Sequence, residues 1–243
     1  MSMNRPIHQM VSPEAIRGKM NALLAIDPSR AVVITVDMHR GHLDPTVATE
    51  AVVPEEAARV VKSTARMLEM ARRASIPVVH VILTYRRYPE PAVERAASPF
   101  KVAIDQARQE LVPGAGSTLR AHNLEGSVQT QLMPEFGPAE TDLMITNKKR
   151  LSAFYGTDLD ILLRVLKRDT VILAGINTNT CVQCTAFEAA NRDLKTIVVS
   201  DCCGSLYGRD LHQFALDNIA RCFAWVVSLD ELADKIEKGA PVN

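Results

Sequence analysis

The sequence predicts an α/β fold: a doubly wound, mostly parallel six-stranded sheet with helices on both faces. Three observations point there. Near-continuous apolar runs recur along the chain, as in strands covered on both faces. Segments with apolar residues at helical spacing separate them. Strands alternating with helices are joined by right-handed crossovers, which wind the sheet both ways from its starting strand.

The first run, residues 31–36, is Ala-Val-Val-Ile-Thr-Val and reads as a buried strand. Residues 55–74 place Ala58, Val61, Ala65, Leu68 and Ala71 on one helical face. Residues 77–83 form the second strand and 143–145 a short third. The fourth, fifth and sixth are 170–174, 196–200 and 224–227. Helices fall between them at 159–166, 182–191 and 211–222. Residues 1–243 read as one domain, with 1–30 as an N-terminal extension. Residues 85–142 break the rhythm, with Pro89, Pro91, Pro99, Pro113, Pro134 and Pro138 among them. That stretch is too long for an ordinary connection. It reads as an irregular excursion with short helices, 100–110 among them, shaping a pocket or a subunit contact.

Composition narrows the function. Hydrophobic residues make up 47% of 243, which supports a sizeable core and argues against disorder. The 28 basic residues balance 28 acidic ones, so no footprint for nucleic acid or an anionic membrane surface is expected. No run approaches the roughly 18 apolar residues of a membrane span. The first thirty residues hold no apolar stretch of signal-peptide length. The expectation is a cytoplasmic protein whose five cysteines are reduced thiols. An odd count and the adjacent Cys202-Cys203 fit a disulfide framework poorly. Cys181 and Cys184 have redox-motif spacing, but no second pair accompanies them.

In this architecture ligands bind beyond the carboxyl ends of the strands. Asp37 follows the first strand. Lys148 and Lys149 follow the third. Cys181 lies where the fourth strand gives way to a helix. All three positions are expected at one sheet edge. First-turn N–H groups and the helix dipole then favour a Cys181 thiolate. A carboxylate at Asp37 can accept the thiol proton and return it to a leaving amine. A lysine beside them favours both anions. Each residue also has a plain reading: a small buried cysteine, a turn-capping aspartate, solvated lysines.

Three blocks give these positions a familiar setting: Val36-Asp37-Met38; Lys148-Lys149-Arg150-Leu151-Ser152-Ala153-Phe154-Tyr155-Gly156-Thr157-Asp158-Leu159; and Gly175-Ile176-Asn177-Thr178-Asn179-Thr180-Cys181-Val182. With Glu188-Ala189, Asp201-Cys202-Cys203-Gly204 and a looser match at 122–126, the chain resembles the isochorismatase-like cysteine hydrolase family. The resemblance implies an Asp37, Lys148, Cys181 triad. Asp37 would be base and acid, Lys148 the orienting cation and Cys181 the nucleophile. The family pattern selects Lys148 over Lys149 because it stands four before Ser152. The resemblance also implies a cis peptide at Ile176–Asn177, with the N–H groups of Asn177 and Cys181 forming an oxyanion hole.

Isochorismatases proper work without a nucleophilic cysteine, so Cys181 directs the expectation to amidases of small amide or ureido compounds. Biuret, triuret and N-carbamoyl amino acids are such substrates, as are ureidoacrylate and maleamate. The reaction would release ammonia through a thioester-type intermediate, with no cofactor. His39, Arg86, Arg87 and Tyr155 are the candidate substrate contacts, and Asn179 is a candidate helix cap. Nicotinamidases of the family hold a metal with an Asp-x-His motif. Here the order is His42-Leu43-Asp44, so no metal is assigned. Alternatives are a maleamate- or nicotinamide-type amidase and a non-catalytic ligand-binding member. A homo-oligomer, dimer or tetramer, is implied by the resemblance. The excursion and an apolar C-terminal helix are the segments available for its interface.

Overall fold

The protein was analysed as a computed structural model, which describes residues 10–239. The first nine residues of the 1–30 extension therefore lie outside the described residues. A six-stranded sheet, all parallel, has the order β3-β2-β1-β4-β5-β6. Its strands are β1 (Ala31–Val36), β2 (Val78–Leu83), β3 (Leu143–Lys148), β4 (Thr170–Ile176), β5 (Lys195–Gly204) and β6 (Trp225–Val227). The helices are α1 (Pro13–Leu23), α2 (Arg40–Leu43), α3 (Pro54–Arg73), α4 (Val93–Ala96), α5 (Pro99–Leu111), α6 (Leu159–Val165), α7 (Gln183–Ala190), α8 (Arg209–Cys222) and α9 (Leu229–Glu237). Among the described residues no helix is long and apolar enough to cross a membrane.

The period of two in the strands sorts the core into two layers. Ala31 and Val33 of β1 and Ile172, Ala174 and Ile176 of β4 pack with Val60, Met67 and Leu68 of α3 and Leu229 and Leu232 of α9. Val32, Ile34 and Val36, with Val171 and Leu173, pack with Leu159 and Leu163 of α6, Ala186 of α7 and Ile219 of α8. Each large aliphatic side chain so buried contributes about 1.5–3 kcal/mol. The C-terminal helix thus spends Leu229 and Leu232 on the core rather than on a subunit interface. Its start is fixed by a capping box, Ser228 with Glu231.

The structure extends the sequence reading at two strands and adds one helix. β3 runs through Thr146, Asn147 and Lys148 instead of stopping at 145. It is an edge strand with one side partly exposed, so its polar residues hide the strand. β5 extends to Gly204, four residues past the apolar run. Helix α1 falls inside the N-terminal extension, capped by Ser12 and opened by Pro13.

The register carries the functional positions to one edge. Val36 pairs with Val81 and with Gly175, and Lys148 pairs with Leu83 two residues further along β2. The end of the excursion is clasped beside that edge strand. Arg72 donates to Asp142 Oδ2 at 2.5 Å and to the Phe136 carbonyl at 2.7 Å. His80 Nε2 meets the same carboxylate at 3.3 Å, while its Nδ1 sits 2.7 Å from Thr35 Oγ1.

Gly175 lets β4 lie this close to β1: a Cβ there would stand 2.3 Å from the Val36 carbonyl oxygen. Gly175→Ala is expected to force the two strands apart and to cost about 1–3 kcal/mol, the range for overpacking. A lowered Tm in calorimetry of the purified variant checks this, and an unchanged Tm would contradict it.

Candidate active site

The sheet order reverses direction between β1 and β4, the switch point where doubly wound folds bind ligands. Asp37 stands just past β1 and Cys181 just past β4. Lys148 reaches in from the end of β3. All three are buried: Asp37 and Lys148 at 0% exposure and Cys181 at 5%. Lys148 Nζ donates to Asp37 Oδ2 at 2.6 Å and to Cys181 Sγ at 3.3 Å. Asp37 Oδ1 is buried with no hydrogen-bond partner. Lys149 turns away to Thr84 Oγ1 at 2.7 Å and Glu125 Oε1 at 2.9 Å.

Local backbone sets these positions. Asp37 adopts a left-handed conformation, φ +57°, which costs a non-glycine residue on the order of 1 kcal/mol and recurs at functional sites. The Ile176–Asn177 peptide is cis. Cys181 does not open a regular helix. It lies in a wide turn, Thr178–Val182, in which the N–H of Val182 donates to the carbonyl five residues back, Asn177. Thr185 Oγ1 donates to the Cys181 carbonyl at 2.7 Å and accepts from the Ala153 N–H at 3.0 Å. That ties the 152–157 block to the cysteine turn. Asn179 does not cap the helix: its Oδ1 accepts from Ser205 Oγ at 2.7 Å.

The electrostatics reverse one expectation. Burial pushes the Cys181 thiol up to about 11. Lys148 opposes that rise and the Asp37 carboxylate adds to it. Burial and the facing carboxylate thus both work against a resting thiolate at Cys181, and Lys148 works for it. Burial would pull Lys148 down, but the Asp37 carboxylate 2.6 Å away outweighs it and holds the ammonium charged. A neutral thiol beside a carboxylate with one free oxygen can pass its proton as it attacks.

Cys181 opens into a cavity of about 430 Å³, with Asn177, Thr180, His42, His122, Tyr85 and Tyr207 in its wall. Four of the expected contacts are not in that wall. Arg86 is exposed and ion-pairs with Glu94, and Arg87 donates to the Glu125 carbonyl at 2.7 Å. Tyr155 is 69% exposed. His39 is fully buried beneath His42, their rings stacked at 4.8 Å, with both its nitrogens unpartnered. Asp44 is taken by Arg40 and Thr46. Among the described residues no group of three or more His, Cys, Asp or Glu is placed to hold a metal ion. The sequence reading missed Glu50, Arg95 and Lys101 in the cavity wall. Lys101 falls in the helix read over 100–110, Glu50 and Arg95 in stretches with no strand or helix pattern, and only the fold brings the three near Cys181.

Three buried histidines form one cluster here. Burial lowers the pKa of His39 and His122 well below 6.5, and that of His42 less strongly. The unfolded chain therefore takes up protons near pH 6.5 that the folded chain refuses. Stability is then lost as pH falls from about 6.5 toward the depressed values. Thermal melts between pH 8 and 5 should show Tm dropping on the acid side, with a shallower drop in His39→Phe. A wild-type Tm level across that range would contradict this account.

Comparison with known proteins agrees with this geometry. The model of the isochorismatase domain matches residues 22–231. The chain is 30% identical over 230 residues to the ureidoacrylate amidohydrolase RutB of Methylobacterium radiotolerans, covering 90% of this chain and 85% of that one. It is also 30% identical to an isochorismatase of Bacillus subtilis, across 89% of this chain and 61% of the relative. A cysteine hydrolase from Pseudomonas syringae pv. phaseolicola superposes with a TM-score of 0.71 at 25% identity, over 88% of this chain and 96% of that one. The N-carbamoylsarcosine amidase of Thermoplasma acidophilum shares the fold, with a TM-score of 0.61 at 24% identity over 83% and 97%. With a family model over residues 22–231, a 30% identical relative along most of its length and a shared sheet, this chain belongs to the isochorismatase-like hydrolase family.

Proposed function

We propose that the protein is a cysteine-dependent amidohydrolase that cleaves a C–N bond of a small amide, ureido or carbamoyl compound and releases ammonia. One observation carries the reading: Lys148 Nζ joins Asp37 and Cys181 while Asp37 Oδ1 is left without a partner. The free oxygen can take the thiol proton, and the ammonium holds both groups in place. A cavity of about 430 Å³ suits a compact substrate. The named activities of RutB and of the carbamoylsarcosine amidase support the bond type.

The reading implies the following steps. Sγ bonds to the substrate carbonyl carbon as its proton passes to Asp37. Asn177 and Cys181 line the cavity, and in this reading their N–H groups would receive the developing oxyanion, as the family resemblance implies. Asp37 returns the proton to nitrogen as the C–N bond breaks and ammonia leaves. Water then attacks the thioester carbon with Asp37 again as base, and the C–S bond breaks as sulfur regains its proton. The reading extends to a cytoplasmic homo-oligomer, dimer or tetramer, supported by the family likeness.

The decisive measurement is ammonia release from biuret, triuret, N-carbamoyl amino acids, ureidoacrylate, maleamate and nicotinamide. Cys181→Ala is expected to lose at least about 10³-fold in kcat with the fold intact by circular dichroism; Asp37→Asn should lose as much but at reduced stability, because it leaves the buried Lys148 charge unpaired. Full activity of Cys181→Ala would overturn the reading. Lys148→Met is a poorer probe, because a buried carboxylate left alone costs about 3–5 kcal/mol in stability. Alkylation gives an independent check: iodoacetamide labelling of Cys181, read by mass spectrometry, should keep accelerating up to pH 9 or beyond. A plateau near pH 7 would mean the sulfur rests as a thiolate.

A further inference from the structure

The cavity holds positive charge that nothing neutralises. Arg95, Lys101, Lys149 and Arg150 line it. Arg95 ion-pairs with Glu50, and Lys149 with Glu125. Glu94, the other carboxylate in the wall, is engaged by Arg86. Arg150 is exposed at the rim. Lys101 is half-buried yet forms no ion pair among the described residues.

Its surroundings deepen that imbalance. Burial and the nearby Arg95 both disfavour the Lys101 ammonium, and Glu50 acts the other way. Glu50 is already spent on Arg95 and also accepts from Thr118 Oγ1 at 3.3 Å. Arg95 is 3% exposed, and its Nε has no acceptor. Two cations thus stand in a half-closed space whose one nearby carboxylate is paired to Arg95 alone, an imbalance that an anionic ligand would relieve. Lys101 sits in the first turn of α5, on the excursion side of the cavity, while Cys181 sits on the sheet side.

We infer that Lys101, together with Arg95, is the specificity-determining element that holds a carboxylate on the substrate at the end remote from the reacting carbonyl. This rests on the amidohydrolase reading above. It separates substrates that the triad alone would treat alike: carbamoyl or amide compounds bearing a carboxylate are favoured over neutral ones such as biuret. It also assigns a purpose to the excursion, which reads the substrate's charge while the sheet edge performs the chemistry.

The test compares N-carbamoylglycine with its uncharged methyl ester, following ammonia. Wild type is expected to favour the anion in kcat/KM. In Lys101→Met the anion-to-ester ratio should fall by roughly 10- to 100-fold, the effect of losing one charge-assisted hydrogen bond, and mainly through KM. Lys101→Arg should restore part of the ratio. An unchanged ratio in Lys101→Met, with both compounds turned over, overturns the inference and leaves the amidohydrolase reading standing. Calorimetric titration of N-carbamoylglycine into Cys181→Ala, with and without Lys101→Met, separates the reverse case. Binding that depends on Lys101 without turnover in wild type upholds the carboxylate site and sinks the catalytic reading. Binding indifferent to Lys101 sinks the site.

Discussion

The ion pair between Lys148 and Asp37, at 2.6 Å and wholly out of water, is the contact on which the rest of the site depends. Desolvating two such charges costs several kcal/mol for each, and only close, fixed geometry offsets it. The sheet supplies that fixity. Asp37 hangs from β1 through its N–H to the Val81 carbonyl at 2.8 Å, and Lys148 is in register with Leu83 on the same β2 strand. Neither charge can leave without stranding the other. Cys181 is held in their field from the far side by β4, whose close approach to β1 requires Gly175.

Around this rigid edge the cavity is walled by a different kind of structure. Between β2 and β3 the only apolar cluster centred on the excursion is small: Leu83, Tyr85 and Ala92, with Leu124 against them. Polar contacts do much of the holding. Asp105 accepts from the Thr118 N–H at 2.9 Å and from Ser117 Oγ at 2.6 Å. Gln129 accepts from the Asn123 N–H at 2.6 Å and donates to the Val47 carbonyl at 3.0 Å. Such networks fix a shape without a large core, provided each buried group finds its partner. Sequence here can change the cavity while the sheet edge stays as it is.

This division explains what could be read in the sequence. Buried parallel strands announce themselves as apolar runs, so β1, β2 and β4 were legible, and with them the shared edge of Asp37 and Cys181; the strand order, and so the switch point, was not. Lys148 was placed by its pattern with Ser152, although its strand was read three residues short, because the end of an edge strand is polar. The cavity wall was not legible. Arg86 and Arg87 follow β2 directly, yet Glu94 and the Glu125 carbonyl draw them outward. Arg95 and Lys101 face inward from short helices whose orientation depends on contacts with segments some 45 residues away, such as Arg95 with Glu50.

The sulfur shows why position and protonation must be argued separately. A cysteine at a strand-to-helix junction suggests a thiolate, since helix N–H groups and a neighbouring lysine both favour the anion. In the folded protein, burial outweighs them. Lys148 is the strongest favourable influence, but its charge is shared with Asp37, and a carboxylate facing the thiol raises the sulfur's pKa in its turn. A neutral ion pair plus a neutral thiol is the arrangement that a dry pocket tolerates best. In the proposed reaction the same carboxylate that disfavours the thiolate at rest is the group that would remove the proton, so a single residue would both suppress the sulfur anion and release it.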